Sequence, residues 1–178
     1  MVKALLEQHD VNPDRPNNYG DTPLRGAVLD GHIDVVKILL ARQDVNPNKQ
    51  NNRGNTPLTL AAQCGDEDVV KILLAREEVN PELPDYHGDT PLSCAAYGGC
   101  ERVVKMLLEQ EEVNPNSQNS TGQTPLSVAA WRGYEGIVKI LLEHEEVNPL
   151  RPDYLGRTPL MYATMYGHQK VIELLQPH

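Results

Sequence analysis

The tripeptide T-P-L begins at Thr22, Thr56, Thr90, Thr124 and Thr158, so it returns every 34 residues. Self-similarity at one period of this length marks a solenoid, in which each unit buries its apolar face only against its neighbours. Laid out by that period, residues 1–178 read as a single repeat domain: a half unit at 1–10, then units at 11–44, 45–78, 79–112, 113–146 and 147–178. Composition supports this, because the chain has no Phe and one Trp while 39% of its residues are apolar. A core made mostly of Leu, Val and Ala is a thin seam between stacked units, with no central space for large rings to fill.

Each unit carries its own start and stop signals. In the third, V-N-P-E-L-P-D-Y-H-G-D from Val79 to Asp89 holds two prolines and a glycine, which permits an extended turn and forbids helix. Thr90 is then a good cap for the free amides of a first helical turn, and Pro91 fits the first helical position because its missing N–H costs nothing there. Leu92, Ala95 and Ala96 mark the buried side of a short helix that ends near Gly98 and Gly99. A second helix follows through E-R-V-V-K-M-L-L-E-Q, with Val103, Val104, Leu107 and Leu108 at helical spacing. The small pairs Ala95-Ala96, Ala61-Ala62 and Ala129-Ala130, and Ala27-Val28 in the first unit, let the helices approach closely. The fold class is an all-α repeat solenoid.

The pattern G-x-T-P-L-x-x-A-A-x-x-G-x-x-x-V-V-x-x-L-L resembles the ankyrin repeat, and the resemblance covers essentially the whole chain. It implies a stack of antiparallel helix pairs with β-hairpin-like loops projecting at right angles, and a concave face made of hairpin tips and inner helices. Two departures stand out. Where the family usually has His after T-P-L, this chain has Arg25, Thr59, Ser93, Ser127 and Met161; Ser and Thr replace part of the hydrogen bonding and Met161 cannot. The family's Gly after the second helix is replaced by V-N-P and a longer loop, against a usual period of about 33, so a looser hairpin is expected. The loop and the likeness between units resemble ankyrin arrays of large fungal proteins. Residues 1–10 match only a second helix, as if units preceded them. Gln176 stands at the register of Leu40, Leu74, Leu108 and Leu142, read as buried positions, and suggests a polar cap.

Charge and cysteine usage exclude several functions. With 25 Asp and Glu against 16 Lys and Arg the formal charge is -9, which opposes nucleic acid or an anionic membrane as partner. No apolar run reaches membrane-spanning length and the first ten residues have no leader pattern, so a soluble cytoplasmic protein is expected, with Cys64, Cys94 and Cys100 as reduced thiols. Cys94, Cys100 and His87 do not have metal-ligand spacing, and Cys94 occupies a slot held by Leu60 or Val128 elsewhere, so it reads as core. Lys3, Lys37, Lys71, Lys105 and Lys139 recur at one register and read as a solvated face with some ion pairing. Without a nucleophile motif or phosphate loop, no enzyme, no cofactor and no metal is expected.

Units that share a scaffold separate the positions the fold needs from those it leaves open. The most variable positions flank the tip glycine and precede the glycine ending the first helix, and the resemblance places both on the concave face. The tips supply Tyr19, Asp21, Arg53, Asn55, His87, Asp89, Gln123, Leu155 and Arg157, and the helix ends supply Leu29, Asp30, Gln63, Tyr97, Trp131, Arg132, Met165 and Tyr166. Aromatic residues, Met and Arg are enriched in interface cores. Asp21, Asp30 and Asp89 lie toward the start and Arg132 and Arg157 toward the end, matching a partner with basic and acidic ends and an apolar middle. Tyr97 and Trp131, one unit apart at one register, either stack as filling or serve recognition. The functional expectation is a non-catalytic protein-binding module, monomeric in isolation; the alternative is a structural spacer or self-association element.

Overall fold

The computed structural model describes residues 12–176; the half unit at 1–10 with Lys3 lies outside them. Ten helices in five pairs fill the described residues: α1 (Pro23–Leu29) and α2 (Ile33–Leu40), α3 (Pro57–Cys64) and α4 (Glu67–Leu74), α5 (Pro91–Gly98) and α6 (Glu101–Leu108), α7 (Pro125–Arg132) and α8 (Glu135–Glu143), α9 (Pro159–Tyr166) and α10 (Gln169–Leu175). Each odd-numbered helix starts as the sequence dictates. Thr124, for example, is extended, its hydroxyl accepts from the Ser127 amide, and proline occupies the first turn. After Cys64, Gly98, Arg132 and Tyr166 a glycine at φ between 73° and 79° turns the chain into the next helix, a conformation that a side chain resists.

The odd helices are the inner layer and pack on one another along the stack; the even helices form an outer layer, each against its own inner partner. Inner helices are buried more widely than their sequence period suggests, since all six residues from Pro91 to Ala96 are buried, as are Pro57 to Ala62 and Pro125 to Ala130. A helix flanked by two inner neighbours and an outer one has little free surface, which is why the alanine pairs there are fully enclosed. The outer helices bury one stripe, Val103, Val104 and Leu107 in α6, each large side chain contributing roughly 1.5–3 kcal/mol. The register of Gln176 is shallower than expected: Leu40 is buried, but Leu74, Leu108 and Leu142 are only half-buried against the core.

No strand forms among the described residues, so the hairpin-like loops are turns. They are tightly bonded rather than loose. Asn17, Asn51, Asp85, Asn119 and Asp153 each accept two backbone amides on one side-chain oxygen; Asn119 takes Thr121 at 3.1 Å and Gln123 at 3.0 Å. One amide per tip then donates to the preceding tip, as Tyr86 does to the Arg53 carbonyl at 3.1 Å. V-N-P asparagine amides make a second set of links, to the side chain two residues past the V-N-P asparagine of the preceding unit: Asn46 donates to Asp14 Oδ2 at 2.8 Å, Asn80 to Asn48 Oδ1 at 2.9 Å and Asn148 to Asn116 Oδ1 at 2.7 Å. On the outer face, Lys37, Lys71, Lys105 and Lys139 are exposed. The ion pairs found there are Arg42 with Asp44, Arg76 with Glu78, Arg102 with Glu67 and Lys170 with Glu135.

Candidate recognition surface

The inner-helix ends bring three aromatic rings from successive units together. Tyr97 at the end of α5 lies 6.0 Å from Trp131 of α7, tilted by 38°, and Trp131 lies 6.1 Å from Tyr166 of α9, edge to face. Arg132 rests over this ladder, 4.8 Å from the Tyr97 ring centre and 5.8 Å from that of Trp131, and its Nη2 donates to the Tyr134 hydroxyl at 3.0 Å. Tyr97 and Tyr166 remain 41% and 53% exposed, whereas Trp131 is half-buried and packs on the core. Stacking and exposure therefore coexist. Trp131 joins the packing of the core, whereas Tyr97 and Tyr166 are the more exposed members of the ladder. Leu29 and Met165, at the same register as Tyr97, are exposed single side chains.

The tip residues divide into two kinds. Tyr19, Arg53, His87 and Leu155 are exposed. Asp21, Asn55, Asp89, Gln123 and Arg157 sit half-buried at the tip base, where several are already engaged. Asp21 Oδ1 accepts from Arg25 Nη1 at 2.6 Å, and Asn55 donates to Asp85. Arg157 pairs with Asp153 through Nε and Nη2 at 2.7 Å, and its guanidinium covers the Tyr162 ring. Two charges of the gradient read from the sequence are thus neutralised within the fold, and Asp30 and Arg132 are its exposed ends.

Between tips and rings runs a cleft of about 270 Å³ lined by Gln63, Asp85, His87, Asp89, Cys94, Tyr97, Asn119, Gln123, Val128 and Trp131. Six of these are sequence candidates. Asp85 and Asn119 escaped because their register is nearly invariant and reads as scaffold; Cys94 and Val128 escaped because they read as core. Burial pushes the Asp89 carboxyl above the ordinary aspartate range, against the opposing Asn119 amide. Burial also pushes the Cys94 thiol far up, so it stays protonated. At Asp153 burial acts in the same upward direction, but the Tyr162 hydroxyl, the Leu155 and Arg157 amides and the Arg157 side chain together bring it down to about 2. His168 lies outside this cleft and its ring meets the Trp131 carbonyl at 2.9 Å, as a turn residue tying two units together.

A family model described as ankyrin repeats in three copies matches residues 1–51, 40–119 and 111–178. The chain belongs to the ankyrin repeat family. Comparison with curated proteins gives no match. Ankyrin repeats generally mediate protein–protein interaction, and proteins built from them are typically non-catalytic. Among the described residues, no helix is long and apolar enough to cross a membrane, and no group of three or more His, Cys, Asp or Glu is placed to hold a metal. Within the ankyrin stack, the register that departs from the usual His behaves differently in each unit. Thr59 closes a capping box with Thr56, Ser127 Oγ meets Thr124 Oγ1 at 3.1 Å, and Arg25 turns to Asp21. Met161 is exposed and contributes only its backbone amide to Thr158.

Proposed function

We propose that this ankyrin array is a non-catalytic protein-binding module of the cytoplasm whose partner lies across the inner-helix ends and tips, centred on Tyr97, Trp131, Arg132 and Tyr166. The observation that carries the reading is the exposed ring ladder. Three aromatics spanning three units present open surface at registers where other units hold Gln63, Leu29 or Cys64, so the scaffold needs no ring there. Rigid, preformed surfaces of this kind lose little entropy on binding. The test is capture of a partner from cytosolic extract by the intact chain and by a Tyr97→Ser/Tyr166→Ser variant, with circular dichroism showing both folded. Loss of the captured partner in the variant is the expected result; equal retention refutes the concave-face assignment.

A self-association reading has one observation of its own. Leu155, Met161 and Met165 each expose a large apolar side chain. A concentration-dependent mass in sedimentation, abolished by Met165→Glu, would support that element; a constant monomer mass would reject it.

A further inference from the structure

The first unit shows how this scaffold holds a guanidinium. Arg25 is 8% exposed, its Nη1 donates to Asp21 Oδ1 at 2.6 Å, and the same oxygen accepts the Asn51 side-chain amide at 2.9 Å. Two units further on, the same registers hold Asp89, Asn119 and Ser93. Asn119 donates to Asp89 Oδ1 at 2.9 Å, repeating the Asn51 contact. The cation is missing, because Ser93 stands where Arg25 did and its buried Oγ has no hydrogen-bond partner. Asp89 therefore keeps its amide, lacks its counter-ion, and has Oδ2 available.

The surroundings complete this reading. Asp85, also in the cleft, has Oδ1 engaged by the His87 and Asp89 amides and Oδ2 by Asn55 at 3.3 Å. Neither Lys nor Arg lines the cleft, and Arg132 is engaged with Tyr97 and Tyr134 instead. Two carboxylates thus share a partly dry space whose lining includes no Lys or Arg, and burial already raises the proton affinity of Asp89. The walls include Tyr97, Trp131 and Val128, apolar surface on which the methylene stem of a long basic side chain lies well. The cleft has space for roughly nine waters at ~30 Å³ each, enough for one such side chain.

We propose that this cleft takes an arginine side chain of the protein partner, its guanidinium on Asp89 and its stem against Trp131 and Tyr97. The proposal rests on the recognition reading of this face and specifies its chemistry. Arginine suits the site better than lysine because its guanidinium is weakly hydrated and offers several N–H donors in a planar fork to the carboxylate, whereas an ammonium is a strongly hydrated point charge. The chain's charge of -9 favours approach of a basic segment.

The test is a titration of the ¹⁵N-labelled 178-residue chain with the blocked peptide acetyl-Gly-Arg-Gly-amide, alongside its lysine and citrulline counterparts, followed by backbone and Trp131 indole resonances. The expected result is saturable shifts around Asp89, Tyr97 and Trp131 with a Kd on the order of 1–10 mM for the arginine peptide. Asp89→Asn should weaken binding at least about tenfold, while Glu77→Gln, at an exposed position beyond outer helix α4, leaves it unchanged. Asp89→Asn is compatible with the fold, since Asn55 occupies that register one unit earlier. Equal binding of citrulline or lysine peptide, shifts located elsewhere, insensitivity to Asp89→Asn, or no shift at peptide concentrations of about 20 mM each overturn the proposal. The two readings fail separately: ring-dependent partner capture without arginine binding removes only the cleft assignment, and Asp89-dependent arginine binding with ring-independent capture removes only the ring-centred one.

Discussion

Replacing Asp153 by Asn isolates one charge-assisted network in the last described unit. Asn already stands at this register in Asn17, Asn51 and Asn119, where its oxygen accepts the same two backbone amides, so the turn itself should survive. What is lost is Oδ2 as an acceptor for the Tyr162 hydroxyl at 2.6 Å and for Arg157 Nε at 2.7 Å. The carboxyl falls from an ordinary 3.8 to about 2 in the folded chain. That difference is linked to about 2 kcal/mol, trimmed to about 1–2 because the Arg157 side chain is one-third open to solvent. The sign follows from the depressed value: the contribution is fully present above pH 3.8 and is lost as pH falls toward 2. Urea unfolding of the natural chain and of Asp153→Asn, compared at pH 6 and in steps down to the acid limit of folding, measures this. The stability gap should be about 1–2 kcal/mol at pH 6 and should narrow below pH 3.8. A gap of constant size across that window would show that the variant acts through packing rather than charge.

Two glycines in helices should respond in opposite directions. A Cβ at Gly98 would run into the Gln63 carbonyl of the preceding unit, so Gly98→Ala should cost about 1–3 kcal/mol, whereas a Cβ at Gly136 meets only the flexible end of Glu101 and Gly136→Ala should gain up to about 1 kcal/mol of helix propensity; thermal midpoints of both variants check this. Cys64 is exposed, Cys100 half-buried and Cys94 buried with its thiol held protonated, so a maleimide followed by peptide mass mapping should label Cys64 first and Cys94 only after unfolding. Rapid labelling of Cys94 in the native chain would contradict its placement in the core.

The array was legible from the sequence because its instructions are local. A Thr cap, a Pro in the first turn and a closing Gly act within a few residues, and 34-residue repetition states them five times. Only the tertiary structure decided how charge and surface are used: the contacts between units join residues 30 to 37 positions apart, and the ion pairs within a unit, though four positions apart, involve tip-turn residues outside the helical register that would announce them. Asp21 and Arg157 carry formal charge in the sequence yet are neutralised by Arg25 and Asp153 in the fold. Trp131, open in the sequence to either a stacking or a recognition role, is half-buried, packed on the core and flanked by Tyr97 and Tyr166. Asp85 and Asn119 look like scaffold and do close their own turns, yet they also line the central cleft. Asp21 and Asp89 are the same residue at the same register, and the side chain that follows four positions later, Arg25 or Ser93, decides whether the carboxylate is paired within the fold or left open to the cleft.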